Sequence, residues 1–242
     1  TVDADGPSAV TVTFDSDAAV ANSVAAAGTY AGVITVKADD TDLDTRASTF
    51  TGGTGSDVLE IKASGGAASS LASVTKVETF KITGTTLASG VTLSDNNATY
   101  TSTTSYETIT VDASALTTGI ATLNANAEAD AKVILKGGGG ADIITASTSN
   151  NLGDTISGNG GADIINIATG SFTSADTIDG GDGTDVISLS NNSSVVDADF
   201  TNVTSVETLT SASGQQLVAA LDSLASAAGI DKVILNDTGT TE

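Results

Sequence analysis

Five aspartates within residues 137–189 stand at matching places in one repeated phrase, and each could offer a hard, anionic oxygen to a cation. The phrase runs GGGGADIIT, LGDTIS, GNGGADIIN, SADTID and GGDGTDVIS. In full form it is a glycine turn, an aspartate, and then residues that favour a strand. The aspartates are Asp142, Asp154, Asp163, Asp176 and Asp185, with steps of nine residues from Asp154 to Asp163 and from Asp176 to Asp185. A further copy, GGTGSDVLE, stands alone at residues 52–60.

The run matches the nonapeptide G-G-x-G-x-D-x-U-x, the calcium-binding signature of RTX proteins. The chemistry explains the spacing. Glycines tolerate left-handed backbone angles, so a turn can aim its carbonyl oxygens inward. Calcium takes about six to eight oxygen ligands in irregular geometry. No single turn supplies that many, so turns must share ions. The candidate ligands are Gly53, Gly55 and Asp57 in the isolated copy, then Gly138, Gly140 and Asp142, and Asp154. They continue through Asn159, Gly161 and Asp163, Asp176, and Asp179, Gly181, Asp182, Gly183 and Asp185. Several calcium ions are expected.

Elements must hold these turns in place. An aliphatic residue follows each aspartate at a fixed offset: Ile144, Ile156, Ile165, Ile178 and Ile187. A Gly/Asp-rich flexible linker has no reason to keep that offset. Short strands pointing these side chains inward would build a narrow aliphatic core. Aromatics are only 3% of the chain, and Trp, Met, Cys and His are missing. Val, Ile, Leu and Ala must therefore fill the core, which suits the thin layers of a solenoid. The fold expected is all-β, a calcium-bound parallel β-roll or β-solenoid with short helical inserts.

Charge narrows the function classes. Thirty acids against eight bases give −22, so the chain repels itself unless a counter-ion is supplied. Nucleic acid is excluded as a partner, because phosphates need clustered Lys and Arg. No apolar run is long enough to span a membrane. Without histidine, a Ser–His–Asp triad or a His-ligated zinc site cannot be built. No enzymatic activity is expected within the chain.

Along the chain, residues 9–14 and 30–37 read as strands. Asp3 and Asp5, and the cluster Asp39, Asp40, Asp42 and Asp44, are read as solvated acidic loops. A second phrase recurs at residues 74–82, 103–111 and 203–210 around Glu78, Glu107 and Glu207, each followed by threonine. These glutamates are expected at strand starts, bonded to backbone or neighbouring threonines. Glu107 and Glu207 are each followed 25 residues later by KVIL, so two module copies lie 100 residues apart. Leu217, Leu221, Leu224 and Ala228 fall on one helical face with Gly229 as a stop, so a helix is expected within 214–229. A short helix or helical turn against a strand face is likewise expected within 113–131. The division expected is a strand-rich region at 1–50, a solenoid segment with one calcium turn at 51–136, a calcium β-roll at 137–190, and a second strand/helix module at 191–242. A start at Thr1 is expected of a processed form or fragment. Asn97, Asn192, Asn202 and Asn236 begin N-x-[ST] sequons that arise easily by chance in so Ser/Thr-rich a chain.

The calcium turns, the V-E-T strands and the DASAL phrase at residues 112–116 together resemble RTX-type surface-layer and related secreted proteins of Gram-negative bacteria. The resemblance covers roughly residues 50–242. It implies export through a type I channel, folding on meeting extracellular calcium, and a structural role in a surface layer or cell-surface fibre. The partners it implies are further copies of the chain, with cell-surface polysaccharide as a second candidate. A calcium module of a secreted RTX adhesin, or of a larger type I-secreted enzyme, is the alternative. Two departures stand out: Asn159 replaces a glycine, and the Asp154 and Asp176 copies lack full glycine turns.

Overall fold

Short β-branched and aliphatic runs, alternating with polar residues, form parallel strands that stack coil upon coil. The computed structural model describes residues 9–14, 21–26, 29–39, 42–43, 48–63, 69–84, 90–97, 107–148, 152–168, 170–191 and 193–236. Nine strands, from Val10–Thr13 to Val203–Thr204, make one sheet, and eight, from Ser69–Ser70 to Lys232–Ile234, make a second. A three-stranded sheet (Ser23–Ala25, Thr49–Thr51, Val74–Thr75) joins the N-terminal coils. The chain is a parallel β-solenoid. From residue 108 to 189 each coil crosses the nine-stranded sheet, turns, crosses the eight-stranded sheet and turns back.

Register carries the core from coil to coil. In the nine-stranded sheet Leu59, Phe80, Val111, Leu135, Ile156, Ile178 and Val203 are successive partners. In the other, Leu123, Ile144, Ile165, Ile187 and Leu209 align. All are buried, including the five isoleucines expected to point inward. Each such side chain contributes about 1.5–3 kcal/mol on burial. The outward row Lys37, Glu60, Lys81, Asp112 and Lys136 alternates in charge. Its ion pairs Lys37–Glu60 (3.0 Å) and Lys136–Asp112 (3.3 Å) are partly exposed, so they favour the register more than they add stability.

Several sequence expectations change here. Strands Val10–Thr13 and Ile34–Asp39 lie in the nine-stranded sheet with repeat strands, and Ser23–Ala25 and Thr49–Thr51 in the three-stranded sheet, so described parts of the first fifty residues stack on the solenoid. Asp42 is buried rather than solvated, and its Oδ2 accepts from Asp39 N–H (3.0 Å). Asp3, Asp5, Asp40, Asp44, Asn192 and residues 103–106 lie outside the described residues. No helix forms in 113–131; coil stacking draws Thr122–Asn124 into the eight-stranded sheet instead. In 214–229 the helix is confined to Ser223–Ala228 and ends at Gly229 in the left-handed region (φ 107°). Leu217–Ala220, just before it, is a strand paired with Ser193–Val196. Asn97 is fully buried, and its Nδ2 donates to the carbonyls of Leu71 (2.8 Å) and Val74 (2.6 Å). It is a bracket between coils and leaves no room for a glycan.

Candidate metal centre

The five tandem copies do not share one edge. Asp142, Asp163 and Asp185 each precede a strand of the eight-stranded sheet, whereas Asp154 and Asp176 each precede one of the nine-stranded sheet. A nine-residue step is therefore a crossing of the solenoid. The stacked neighbours are alternate copies, 21 or 22 residues apart, as in the pairs Ile143–Ile164 and Ile164–Val186. Equivalent places in sequence become two edges in space.

On the first edge the carboxylates form a continuous row. Ala121 N–H donates to Asp142 Oδ1 (2.6 Å), Asp142 N–H to Asp163 Oδ1 (2.7 Å), and Asp163 N–H to Asp185 Oδ1 (2.8 Å). The row ends where Asp185 N–H donates to Glu207 Oε2 (2.7 Å). Gly138 N–H holds Asp142 Oδ2 (2.5 Å). The second oxygens of Asp163 and Asp185 are buried and have no hydrogen-bond partner among the described residues.

The glycines earn their places sterically. A Cβ on Gly137, Gly158 or Gly180 would collide with the carboxylate of Asp142, Asp163 or Asp185 respectively. Gly140, Gly161 and Gly183 lie against the carbonyls of Gly119, Gly140 and Gly161, one coil back. The edge is thus a column of carboxylate and carbonyl oxygens. Asn159 adopts φ 67°, a region where asparagine is the best-tolerated substitute for glycine. Its Nδ2 donates to Gly137 O (2.7 Å), so its side chain ties two turns together. Gly181 sits against its carbonyl. Asp179 ends its strand on the exposed side, where Thr204 Oγ1 donates to it (3.2 Å). Asp182 is exposed, and its backbone bridges to residues 159 and 161.

The second edge is built differently. Asp154 accepts from Ser147 N–H (2.8 Å) and Ser147 Oγ–H (3.0 Å), and Asp154 N–H donates to Asp176 Oδ1 (2.8 Å). Thr173 N–H donates to Asp176 Oδ2 (2.8 Å). Protein donors reach both oxygens of each carboxylate, as they also do at Asp142, so both side chains staple loops. The isolated copy also precedes a nine-stranded-sheet strand. Ile34 N–H (2.7 Å) and Gly53 N–H (2.6 Å) donate to Asp57, and Asp57 N–H donates to Glu78 Oε2 (2.7 Å). Gly53 and Gly55 stack on the carbonyls of Tyr30 and of Ala31 and Gly32.

Glu78 and Glu207 are the site residues that the nonapeptide pattern misses. They occur at strand starts and accept from backbone, as expected of them, but in the places that aspartates occupy elsewhere in the rows. The signal was present: E-T-[FL] has the same acid–x–apolar offset as D-I-I and D-V-I.

Burial raises the carboxyl pKa of Asp57, Asp142, Asp154 and Asp185, and pushes Asp163 and Asp176 up to about 6. Neighbouring aspartates add to this: Asp142 and Asp185 around Asp163, and Asp154 beside Asp176. A carboxyl raised above its unfolded value of about 3.9 binds protons more tightly in the folded chain. Its stabilising contribution is full below pH 4 and is lost as pH rises through 6. In chelator, the unfolding midpoint should accordingly fall between pH 4.5 and pH 7. With saturating calcium the trend should reverse, since the ligands must be ionised. Denaturant titrations followed by circular dichroism check both signs; a chelated chain at least as stable at pH 7 as at pH 4.5 would contradict the burial argument.

The donor set is all oxygen, anionic, buried and partly unsatisfied. It fits calcium, which Asp142, Asp163, Asp185 and the carbonyls of the stacked glycine turns would hold. The sequence profile of the RTX calcium-binding nonapeptide repeat (four copies) matches residues 136–170 and 173–193. No curated protein and no solved structure matches the chain. The matched segments are similar to RTX calcium-binding nonapeptide repeats, and with the β-solenoid that carries them they support an RTX-type calcium-binding module.

Proposed function

We propose that the chain is a structural extracellular protein that folds and self-assembles on binding calcium, as a subunit of a surface layer or cell-surface fibre. One observation carries the assembly part. The inward row Leu123–Ile144–Ile165–Ile187–Leu209 is fully buried, yet its next member, Val233, is 42% exposed. Leu235 and Val218 beside this end are 62% and 66% exposed. The strands Lys232–Ile234 and Leu217–Ala220 also have one edge unpaired among the described residues. An apolar, unpaired sheet edge is a template for another strand, which in this reading a second copy of the chain supplies.

The calcium part rests on charge. At −22, the chain resists compaction when its carboxylates are ionised and unpaired. Extracellular calcium modules bind at about 10⁻⁴–10⁻³ M, a range that suits folding after export through a type I channel. No helix among the described residues is long and apolar enough to cross a membrane. The role assigned is non-enzymatic, with cell-surface polysaccharide as the candidate anchor.

Negative-stain microscopy of the chain, in chelator and after calcium is restored, tests the reading. Ordered sheets or filaments are expected only with calcium. A Val233→Asp/Leu235→Asp variant should still fold with calcium but lose at least tenfold in assembly, read by sedimentation. Compact, dispersed wild-type particles in calcium would sink the assembly reading and favour a calcium module of a larger secreted adhesin or enzyme.

A further inference from the structure

A second group of acids gathers outside the nonapeptides. Asp95, Glu128 and Asp130 each bring a carboxylate oxygen to within 4.8 Å of the others. They lie in loops that leave the eight-stranded sheet, whereas the glycine turns around Asp142, Asp163 and Asp185 lead into it. The two positions are on opposite edges of the solenoid.

Glu128 is the decisive member. It is 0% exposed. Asp130 N–H (3.2 Å) and Ala131 N–H (3.1 Å) hold its Oε1, while Oε2 is buried with no partner. Asp130 Oδ1 is likewise buried and unsatisfied. Asp95, on the exposed rim, is fixed by Ala129 N–H (3.3 Å). Thr148 donates through N–H (3.1 Å) and Oγ1 (3.3 Å) to the Glu128 carbonyl, which clamps the loop to the next coil. Among the described residues, no lysine or arginine forms an ion pair with any of the three.

A buried carboxylate oxygen with no donor is costly, and two further acids beside it compound the cost. Only a proton or a cation can relieve it. We propose that Asp95, Glu128 and Asp130 form a calcium site separate from the nonapeptide turns. Three hard, anionic oxygens without nitrogen or sulfur select a hard divalent ion, and ligands from two successive loops suit the irregular shell of calcium better than the strict octahedron of magnesium. An ion here would lock loop 93–97 onto loop 125–131, just before the tandem repeats begin. The site stands independently of the assembly reading.

The competing solution is a proton shared by Glu128 and Asp130, since burial pushes Glu128 up to about 7. The test therefore counts calcium bound per full-length chain at pH 8 by equilibrium dialysis. Glu128→Gln should bind one ion fewer than wild type. Asp95→Asn, at the exposed rim and so harmless to folding, should weaken one ion at least tenfold. Asp163→Asn should lose nonapeptide ions and keep this one. Unchanged count and affinity in Asp95→Asn, or in a folded Glu128→Gln, would overturn the site. If Glu128→Gln does not fold, Asp95→Asn decides alone. Failure of the nonapeptide assignment would show separately, as wild-type binding by Asp163→Asn.

Discussion

Asp163→Ala is expected to raise the calcium concentration needed for folding by at least tenfold, and to lower stability even in chelator. Two losses combine. Asp163 lies in the middle of the carboxylate row, accepting from Asp142 N–H and donating its own N–H to Asp185. Alanine leaves the buried Asp142 N–H without an acceptor, at a cost of about 1–3 kcal/mol. It also removes a carboxylate whose second oxygen is buried without a partner, packed against Gly158. Losing even an outer partner of a metal ligand weakens affinity about 10–100-fold, and a direct ligand should cost no less. Asp163→Asn separates the two, because the amide oxygen can still accept from Asp142 while the charge is gone. The Asn variant should recover most of the stability in chelator but keep the raised calcium midpoint. Calcium titrations followed by circular dichroism give both readings. If the Asn variant folds at the wild-type calcium midpoint, Asp163 is not a ligand.

Gly161→Ala should be nearly as damaging, for a steric reason. Gly161 has φ +112°, and a Cβ there would overlap the Gly140 carbonyl and the Ala141 nitrogen of the preceding coil. That carbonyl belongs to the stacked column and cannot retreat without breaking the turn beneath it. A left-handed angle alone costs an L-residue about 1–2 kcal/mol, and overpacking adds about 1–3 kcal/mol. Gly170→Ala is the control: its φ is +81°, but nothing lies within 4 Å of the added carbon. It should lose only about 1–2 kcal/mol. Denaturant unfolding in saturating calcium compares the two. Equal losses would mean that the turns are not in contact.

Local chemistry was legible in the chain. A strand's alternation is written in neighbouring residues, so the aspartate-to-isoleucine offset was enough to place Ile144, Ile156, Ile165, Ile178 and Ile187 in the core. The same offset picked out the glycine turns, because their left-handed angles and close approaches leave a compositional mark. Gly229 as a helix stop was readable for the same reason.

Which residues meet across coils was decided only by the tertiary structure. Stacking depends on the summed length of two strands and two turns, and no short window contains that sum. It divides five look-alike aspartates between two edges, with unpartnered buried oxygens at Asp163 and Asp185 and protein donors to both oxygens at Asp142, Asp154 and Asp176. It puts Glu207 in line with Asp185, because one more methylene still reaches the same kind of amide. The two module copies keep their local pairing, Thr108 with Lys132 and Thr208 with Lys232, yet lie in opposite sheets. Stacking likewise brings Asp95 beside Glu128, from loops that share no motif. By itself the sequence determined the coil's chemistry, since turns and strands are local; the sharing of oxygens between coils was left to register, which only the folded chain sets.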